Sequence, residues 1–535
     1  MKSRPILKNK YYLYLTEFFS GVSVMAVELG ASRLLAPYFS SSQIVWTIII
    51  GTIMIAMALG NLWGGREADK NPDPDRLYFR ILIAAVWIAA IPVAGKYVIL
   101  AVSGVLVLTV STNLLIIAAF LSCMIIFVFP LFLLGTVTPS LVKYTVDSLD
   151  NSGKTVGMLG AANTVGSIIG TFLPTFVTIP AVGTSITFLI FSGILLVIAL
   201  VYFLSGKAGY RASAAAAALF MLCSVFGRSG SFAFWEKDLS YEGESVYNYL
   251  QVKENDESVI LSTNVLFGVQ SVKMKTNSLT GMYYDYALAA PLMAGVDEKP
   301  DANVLILGNG TGTYAAQCRK YFPYSEIEGV EIDEKITSLA DKYFDMPDDI
   351  DIATYDGRAY LSAVDTKYDV ILVDAYQDIT IPFQMSSAEF FTLVRDHLKE
   401  GGVMVVNMNM HSDGEDSINQ ALTDTVASVF GSVYTADVAG ATNREMFASV
   451  SGDLRAALRD GTLRQTDFEL HAMMDTVCDA LTLVEAGDDV LTDDRAPVEM
   501  LGMKTLDGYI GSELKYYREL FRTEGFAGII GNFNA

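Results

Sequence analysis

Glycine and acidic residues follow apolar segments in the second half of the chain, where they could bind a ligand. The segment ANVLILG (302–308) runs into a turn that contains Gly308, Gly310 and Gly312. This GxGxG spacing lets a ligand approach the backbone and frees the first amides of the following helix. Glu331, near the end of the next apolar segment, is placed where an acidic side chain accepts the hydroxyl protons of a ribose. The two features together imply an adenosine-containing ligand.

Two ligand classes satisfy this pattern. A nicotinamide dinucleotide would use the same features, but its usual fingerprint is GxGxxG, and here the third glycine comes one residue sooner. An adenosyl sulfonium compound is therefore the interpretation that we favour.

Two further carboxylates lie at predicted strand ends. Asp356 and Gly357 follow the third strand, where the aspartate could either meet an adenine amino group or cap a helix. Asp374 ends YDVILVD (368–374), and a charged group after an apolar strand would face the ligand cleft, although it could also be a turn residue. Asp374 is thus a candidate for the reaction centre.

The elements that must position these residues alternate between strand and helix. Such alternation, with continuous Val, Ile and Leu strands, predicts a Rossmann-like α/β domain built on a parallel sheet, here over 301–535. Short β-type runs before it, such as SVYNYLQV and SVILST, predict a β-rich cap over 229–300. The predicted elements are strands 302–308, 325–332, 368–374 and 402–408 and helices 313–321, 333–344 and 386–399.

Composition indicates that the first half of the chain lies in lipid, whereas the second half lies in water. The chain of 535 residues is 52% hydrophobic and 18% charged, and its mean hydropathy is +0.38. Residues 1–228 contain 15 Lys and Arg against 8 Asp and Glu, whereas the remainder contains 22 against 51. These values exclude a disordered chain, a small disulfide scaffold and a basic nucleic-acid binder.

Residues 1–228 are predicted to form a transmembrane helical domain. Two shorter apolar stretches, 97–111 and 212–227, leave the count at six to eight spans. Basic residues in the short loops place the soluble part in the cytoplasm of a multi-pass cell-membrane protein, provided that 212–227 does not cross. The six long apolar runs are 13–39, 43–65, 78–95, 113–135, 155–180 and 183–204.

Intramembrane carboxylates raise an alternative role for these spans. Glu17 and Glu28 are spaced to share one face of a helix. They could line a cavity for a cation, or Glu28 could make one hydrogen bond between helices while Glu17 lies near the interface. Six spans suggest half a transporter or an anchor. The four cysteines and three histidines show no metal-ligand spacing, so we expect reduced thiols and no metal.

The chain resembles the spermidine synthase (polyamine aminopropyltransferase) family, and in particular its membrane-fused bacterial branch. The resemblance covers roughly residues 17 to 500. The matching stretches are MAVELGASRLLAPYF, GNLWGGREAD, FPLFLLGTVTPSLVKY, VQSVKM, TGMYYDYALAAPLM, VLILGNGTG, GVEID, YDGR, VDAYQDITIPF and LTDDRAPVEM.

This resemblance implies roles for single residues. It implies that Asp374 is the catalytic carboxylate. This sequence departs from the family's pattern at two positions. The family's glycine turn carries an aspartate that pairs with the donor's amine, whereas Thr311 stands here, and the second carboxylate of the post-strand loop is displaced to Asp378. The residues implied to bind the adenosyl ligand are Gln270, Asp356, Gly357, Glu331 and the three turn glycines. The residues implied to bind the amine are Tyr283, Asp285 and Asp378.

The resemblance also implies an activity. It is the transfer of an aminopropyl group from decarboxylated S-adenosylmethionine to a polyamine such as putrescine, without a metal. Thr311 keeps open a methyltransferase that uses S-adenosylmethionine itself. Glu17 and Glu28 keep open a non-catalytic sensor or transporter for a polyamine or adenosyl ligand. The expected partners are the polyamine and the lipid bilayer but no nucleic acid, and a homo-oligomer is left open.

Overall fold

Two separate units make up the chain in this computed structural model. One contains Met1–Trp235 and Leu514–Ala535, and the other contains Glu236–Glu513. The structure describes residues 5–110, 112–145, 152–206, 209–228, 231–236, 238–265, 269–376, 381–409, 412 and 417–533.

Long apolar helices form the first unit. Asn9 and Ser42 cap the first two helices, since each side chain accepts a backbone N–H of the first turn. A π-helical turn, Pro174–Thr178, joins the sixth and seventh helices. The helices are α1 (Lys10–Phe39), α2 (Gln43–Lys70), α3 (Pro74–Thr109), α4 (Leu114–Gly135), α5 (Val137–Thr145), α6 (Ser152–Leu173), α7 (Ile179–Ser205) and α8 (Tyr210–Phe226).

Five stretches of the described helices are long and apolar enough to cross a membrane. The predicted segments 78–95 and 97–111 are not separate, because both lie within the continuous helix α3. The fifth stretch, 152–205, combines α6, the π-helical turn and α7, and a kink lies inside α7 at Gly183, whose φ is 80°. At 1.5 Å per residue this stretch is roughly 80 Å long, against about 30 Å of hydrocarbon, so its length allows two crossings.

A buried carboxylate joins three helices of this unit. Glu17 of α1 is 0% exposed, and its Oε1 accepts hydrogen bonds from Thr138 Oγ1 and from Asn163 Nδ2 at 2.9 Å. The bond between helices that the sequence suggests for Glu28 is therefore made by Glu17. Gly166 lets α6 approach closely here, because a Cβ at this position would collide with the carbonyl oxygen of Phe18.

The second unit contains the α/β domain and its cap. Its last helix continues into the residues that group with the first unit. The elements are β1 (Leu239–Glu244), β2 (Tyr249–Glu254), β3 (Ser258–Ser262), β4 (Ser271–Met274), α9 (Tyr283–Ala287), α10 (Ala289–Met293), β5 (Asn303–Leu307), α11 (Thr313–Tyr321), β6 (Glu326–Glu331), α12 (Glu334–Tyr343), β7 (Asp351–Thr354), α13 (Gly357–Ala363), β8 (Tyr368–Val373), α14 (Ala388–Asp396), β9 (Leu398–Met408), α15 (Ile418–Val429), β10 (Ser432–Asp437), β11 (Arg444–Ser449), α16 (Leu454–Arg464), α17 (Phe468–Ala480), β12 (Thr482–Leu483) and α18 (Val498–Phe533).

Two sheets organise this unit. Strands β1 to β4 form an antiparallel sheet, which is the predicted cap. The larger sheet has the order β12-β10-β11-β9-β8-β5-β6-β7, and β9, β8, β5, β6 and β7 are parallel. The Rossmann-like fold is confirmed, but the sheet is not parallel throughout, because β11 and β10 pair antiparallel at one edge. Alternate strand residues are buried on both faces, as in a doubly wound sheet.

The end of the chain differs from the expectation. The sequence assigns residues 301–535 to one domain, whereas Leu514–Ala535 groups with the helical unit. Arg518 gives a physical reason, because its guanidinium donates to the carbonyl oxygens of Val107, at 3.1 Å, and of Val110.

Candidate active site

The glycine turn after β5 adopts a backbone that other residues rarely tolerate. The φ angles are 93° at Gly308, 54° at Gly310 and 80° at Gly312. A Cβ at Gly308 would collide with the carbonyl oxygen of Asp374, and one at Gly312 with the sulfur of Met346. The backbone of this turn therefore lies directly beside the end of β8, with no space for side chains at these two positions.

Glu331 ends β6 beside this turn. Its side chain is 7% exposed, Oε2 accepts from Gly310 N at 2.9 Å, and Oε1 accepts from Asp333 N at 3.0 Å. Burial raises the pKa of Glu331 to about 7, and these backbone hydrogen bonds oppose the shift. Each carboxylate oxygen retains a lone pair, so the group can still accept hydroxyl protons.

Asp374 follows β8 at the carboxyl end of the parallel strands. Its Oδ2 accepts from the Tyr283 hydroxyl and its Oδ1 from Asn407 Nδ2, both at 2.8 Å. Burial raises the pKa of Asp374 to about 7, the two hydrogen bonds lower it, and the charge of Glu331 raises it. The result is a fixed carboxyl group whose proton is exchangeable near neutrality.

The cap contributes to the site through its last strand. Tyr284 donates from its hydroxyl to the carbonyl oxygen of Gln270 at 2.6 Å, which attaches α9 to the residue that precedes β4. The amide of Thr311 donates to Ser271 Oγ at 3.4 Å. The structure therefore brings Gln270 and Tyr283 to the same region as the glycine turn.

The Asp285 carboxylate is not free to bind an amine in this structure, because it is buried and hydrogen-bonded inside the protein. It is 0% exposed, and its oxygens accept from Gln317 Nε2 at 2.6 Å, Gly281 N at 2.6 Å and Thr280 Oγ1 at 3.2 Å. Burial raises its pKa, while these bonds lower it. In this structure Asp285 anchors the loop before α9, and the direct contact with an amine that the resemblance implies stays a prediction.

Asp356 is the N-cap of α13. Its Oδ1 accepts from Ala359 N at 2.8 Å, which is the helix-capping role weighed from the sequence. Gly357 begins that helix, and the contact of either residue with adenine stays a prediction. Asp378 lies outside the described residues.

Asn407 is a site residue that sequence reasoning missed. It lies at the end of β9 and holds Asp374, and its Oδ1 accepts from Asn443 Nδ2 at 2.9 Å. A signal was available, because Asn407 is a polar residue after the apolar run VMVV, as Asp374 is after VILV.

Several buried acceptors near the turn have no partner among the residues described. These atoms are Asn309 Oδ1, Thr311 Oγ1 and Gln317 Oε1. Unpaired buried polar atoms are costly, so a ligand that donates hydrogen bonds there would be favoured. The four cysteines are free, and over the described ranges no three His, Cys, Asp or Glu residues are grouped as metal ligands would be.

Comparison with known proteins agrees with this geometry. The family model for the spermine/spermidine synthase domain matches residues 288–443. A probable polyamine aminopropyl transferase of Bifidobacterium longum is 54% identical over 349 residues, which are 62% of this chain and 77% of that protein. The polyamine aminopropyltransferase of Vibrio vulnificus is 27% identical over 223 residues, 40% of this chain and 71% of that protein.

Solved structures give similar matches. A probable spermidine synthase from Corynebacterium glutamicum has a TM-score of 0.37 and 18% identity, covering 48% of this chain and 99% of that one. A spermidine synthase in complex with the transition-state analogue AdoDATO has a TM-score of 0.35 and 21% identity, covering 44% and 82%.

The chain belongs to the spermine/spermidine synthase family of polyamine aminopropyltransferases, and it is a transferase. The resemblance predicted from the sequence motifs is thereby confirmed.

Proposed function

We propose that the chain transfers an aminopropyl group from decarboxylated S-adenosylmethionine to a polyamine such as putrescine. One observation carries this proposal: Asp374 is fixed between the Tyr283 hydroxyl and Asn407, one strand away from the glycine turn. A base in that position can serve an amine that attacks a ligand bound at the turn. Family membership supports this function over the alternatives.

The donor would lie along the carboxyl ends of β5 and β6. The glycine turn would pack against the nucleoside, Glu331 would accept the ribose hydroxyl protons, and Asp356 and Gly357 would lie toward the adenine. Gln270, beside β4, would cover the ligand from the cap. The orphan acceptors at Asn309 and Thr311 are consistent with a ligand rich in donors.

The chemistry asks the protein mainly to position the reactants and to move one proton. An amine with a pKa near 10.4 costs roughly 4.6 kcal/mol to hold neutral at pH 7. Asp374 would accept that proton, and the freed lone pair would attack the carbon beside the sulfonium. The C–S bond breaks as the C–N bond forms. The electron pair of the C–S bond stays with the sulfur and neutralises its charge, and methylthioadenosine leaves. Tyr283 would keep Asp374 in line.

The test is turnover by the purified full-length chain with putrescine and decarboxylated S-adenosylmethionine. We expect methylthioadenosine and spermidine. S-adenosylhomocysteine formed from S-adenosylmethionine would instead identify a methyltransferase. Binding of the nucleoside without any product across a panel of amines would overturn the transferase proposal and favour the sensor.

We also propose that the helical unit is a multi-pass anchor in the cell membrane, with the transferase unit in the cytoplasm. Exposed apolar side chains support lipid contact, among them Met54, Phe176 and Val225. The chain should stay in the membrane pellet after alkaline washing. A cysteine introduced at exposed Asp365 should react with a membrane-impermeant thiol reagent only after lysis, and labelling in intact cells would contradict the cytoplasmic placement.

A further inference from the structure

Glu445, in β11, is a buried carboxyl group that the proposed mechanism does not use. It is 0% exposed, and neither oxygen has a hydrogen-bond partner in the part of the chain that the structure describes. Burial, and secondarily the charge of Asp374, raise its pKa well above the ordinary value, which favours the neutral carboxyl in the ligand-free chain. An apolar residue would be less costly here, so a use for the carboxyl must be sought.

The register of the sheet places Glu445 in line with the reaction centre. Glu445 lies directly opposite Asn407 in the antiparallel pair of β11 and β9, so the two side chains share a face. Asn407 in turn donates to Asp374. The three residues therefore form a row across β8, β9 and β11. At about 4.8 Å per strand, the backbones of Asp374 and Glu445 are roughly 10 Å apart.

This row extends away from the proposed nucleoside site. The sheet order places the glycine turn and Glu331 on β5 and β6, on one side of Asp374, and Asn407 and Glu445 on the other. A donor bound at the turn would therefore leave the β9–β11 side for the acceptor. An acceptor whose reacting nitrogen lies at Asp374 would direct its remaining length toward Glu445.

The chemistry of this side suits an alkyl chain that ends in a cation. Helix α9, which carries Tyr283, packs against β9 and β11. Tyr314 of α11 is buried in the core on the same face of the sheet, where burial, followed by Cys318 and least by Glu445, raises its pKa. Methylene groups pack against aromatic rings, and ammonium ions bind over the faces of such rings. Residues 229–535 also carry 51 acidic against 22 basic side chains, which favours the approach of a polycation.

We propose that Glu445 is the carboxylate that receives the distal ammonium group of the acceptor, and that it thereby selects diamines and polyamines over monoamines. The inference rests on the proposed function and adds a specificity-determining residue to it. Glu445 gives up its proton to solvent as the ammonium arrives, so that the ion pair forms only in the complex. Because the carboxyl is closed to solvent, the side chains around it, Tyr314 among them, must move apart for the ammonium to enter.

The test compares Glu445→Gln with the wild-type enzyme. The amide keeps the size of the side chain and loses only its charge. We expect the KM for putrescine to rise 10- to 100-fold, since a charge-assisted hydrogen bond is lost, while kcat falls far less. The preference for putrescine over butylamine, its monoamine analogue, should fall by a similar factor.

Glu328→Gln is the matched control. Glu328 lies on β6 and accepts from the hydroxyls of Tyr360 and Tyr368, at 2.9 Å for the latter. The same substitution there should lower the melting temperature without changing the diamine preference. An equal loss of preference in both variants would overturn the role of Glu445.

Two further measurements keep the result decisive. Glu445→Asp, one methylene shorter, should move the preference toward a longer diamine, and this variant serves if Glu445→Gln does not fold. Calorimetry of putrescine binding in the presence of methylthioadenosine should show weaker binding to Glu445→Gln, whether or not the chain turns over. A wild type that binds putrescine but forms no product would refute the proposed function alone, whereas unchanged KM, preference and binding heat in folded Glu445→Gln would refute the role of Glu445.

Discussion

At the scale of single residues, Asp374 is the group on which catalysis should depend most. Replacing it by Asn keeps the shape and removes the base, so we expect kcat to fall about 10²- to 10⁴-fold. The dissociation constant for methylthioadenosine should stay within about threefold, because the nucleoside contacts come from other residues. Single-turnover kinetics measure the chemical step, and calorimetry measures the dissociation constant, so the effects on catalysis and on binding are separated. Asp365→Asn, in the exposed loop before β8, is the control and should keep full activity.

The Tyr283 hydroxyl should set the pH dependence of that base. The active form of Asp374 is ionised, so kcat/KM should increase as the pH rises through about 7. The hydrogen bond from Tyr283 lowers the pKa of Asp374, so Tyr283→Phe should raise it and move the acidic limb to higher pH by roughly half a unit to one unit.

Tyr284→Phe is the matched control, because the Tyr284 hydroxyl donates to the carbonyl of Gln270 instead. Its pH profile should keep the position of the acidic limb. An acidic limb that moves equally in both variants would show that Tyr283 does not tune Asp374.

Sequence reasoning reached some of these residues and missed others for identifiable reasons. The positions of Glu331 and Asp374 at the carboxyl ends of parallel strands could be predicted because each ends an apolar segment, and their binding and catalytic roles stay predictions. Asp285 is hydrogen-bonded inside the protein, and no sequence pattern distinguishes such a carboxylate from one that faces a ligand. Glu445 and Asn407 depend on the register of β9 and β11, which are far apart in the chain.

At the scale of elements, the turn after β5 should tolerate no side chain at Gly308. An alanine there would adopt a left-handed φ and collide with the Asp374 carbonyl, so we expect a loss of about 1–3 kcal/mol of stability and at least tenfold weaker binding of methylthioadenosine. Gly401 has a similar φ of 73° but no atom within 4 Å of an added Cβ. Gly401→Ala should lose stability without losing nucleoside affinity, which separates backbone strain from the effect on the site.

The segment LTDDRAPVEM is attached to α13 by an ion pair. Arg358 donates two hydrogen bonds to the Asp493 carboxylate, both at 2.7 Å, and Ser387 donates a third to the same group at 2.6 Å. A double-mutant cycle of Arg358→Met and Asp493→Asn should give a coupling free energy of about 1 kcal/mol, as expected for a half-exposed pair. Additive losses of unfolding free energy would show that the pair does not hold the segment.

The elements that could be predicted are those with strand–helix alternation. Helix α11 begins and ends where the sequence places it, at residues 313 and 321. Strands β10 and β11 were not predicted, because antiparallel strands at a sheet edge need no intervening helix and leave a weaker pattern. The sequence separates the apolar runs 155–180 and 183–204, and the structure has a kink at their boundary, at Gly183. The π-helical turn Pro174–Thr178 lies inside the first run and was not predicted, because hydropathy does not distinguish it from an α-helix.

At the scale of the whole molecule, two buried carboxylates should make stability depend on pH. The pKa values of Glu331 and Asp374 are raised to about 7 in the folded chain. The folded chain therefore holds protons between about pH 4 and pH 7 that the unfolded chain has released. The free energy of unfolding should decrease as the pH rises through this range, by up to roughly 1.4 kcal/mol per pH unit for each group.

Denaturant unfolding of the full chain in detergent, followed at several pH values, measures this slope. Asp374→Asn should reduce it, because one of the two groups no longer titrates. A slope that is the same in both proteins would contradict the assignment of a raised pKa to Asp374.

The division into a membrane-compatible half and an α/β half could be predicted from hydropathy and charge alone. The assignment of the last residues could not, because the sequence of α18 contains no break where its residues pass from one unit to the other.

Asp333 connects the cap to the end of β6, where Glu331 lies. It lies two residues after Glu331, and its carboxylate accepts from Ser245 Oγ at 2.5 Å and from Asn248 Nδ2 at 3.0 Å, both in the link between β1 and β2. The sugar of a bound nucleoside and the first hairpin thus share one short stretch of backbone. Occupancy of the pocket should therefore slow hydrogen–deuterium exchange in that hairpin, although no atom of the nucleoside needs to touch it.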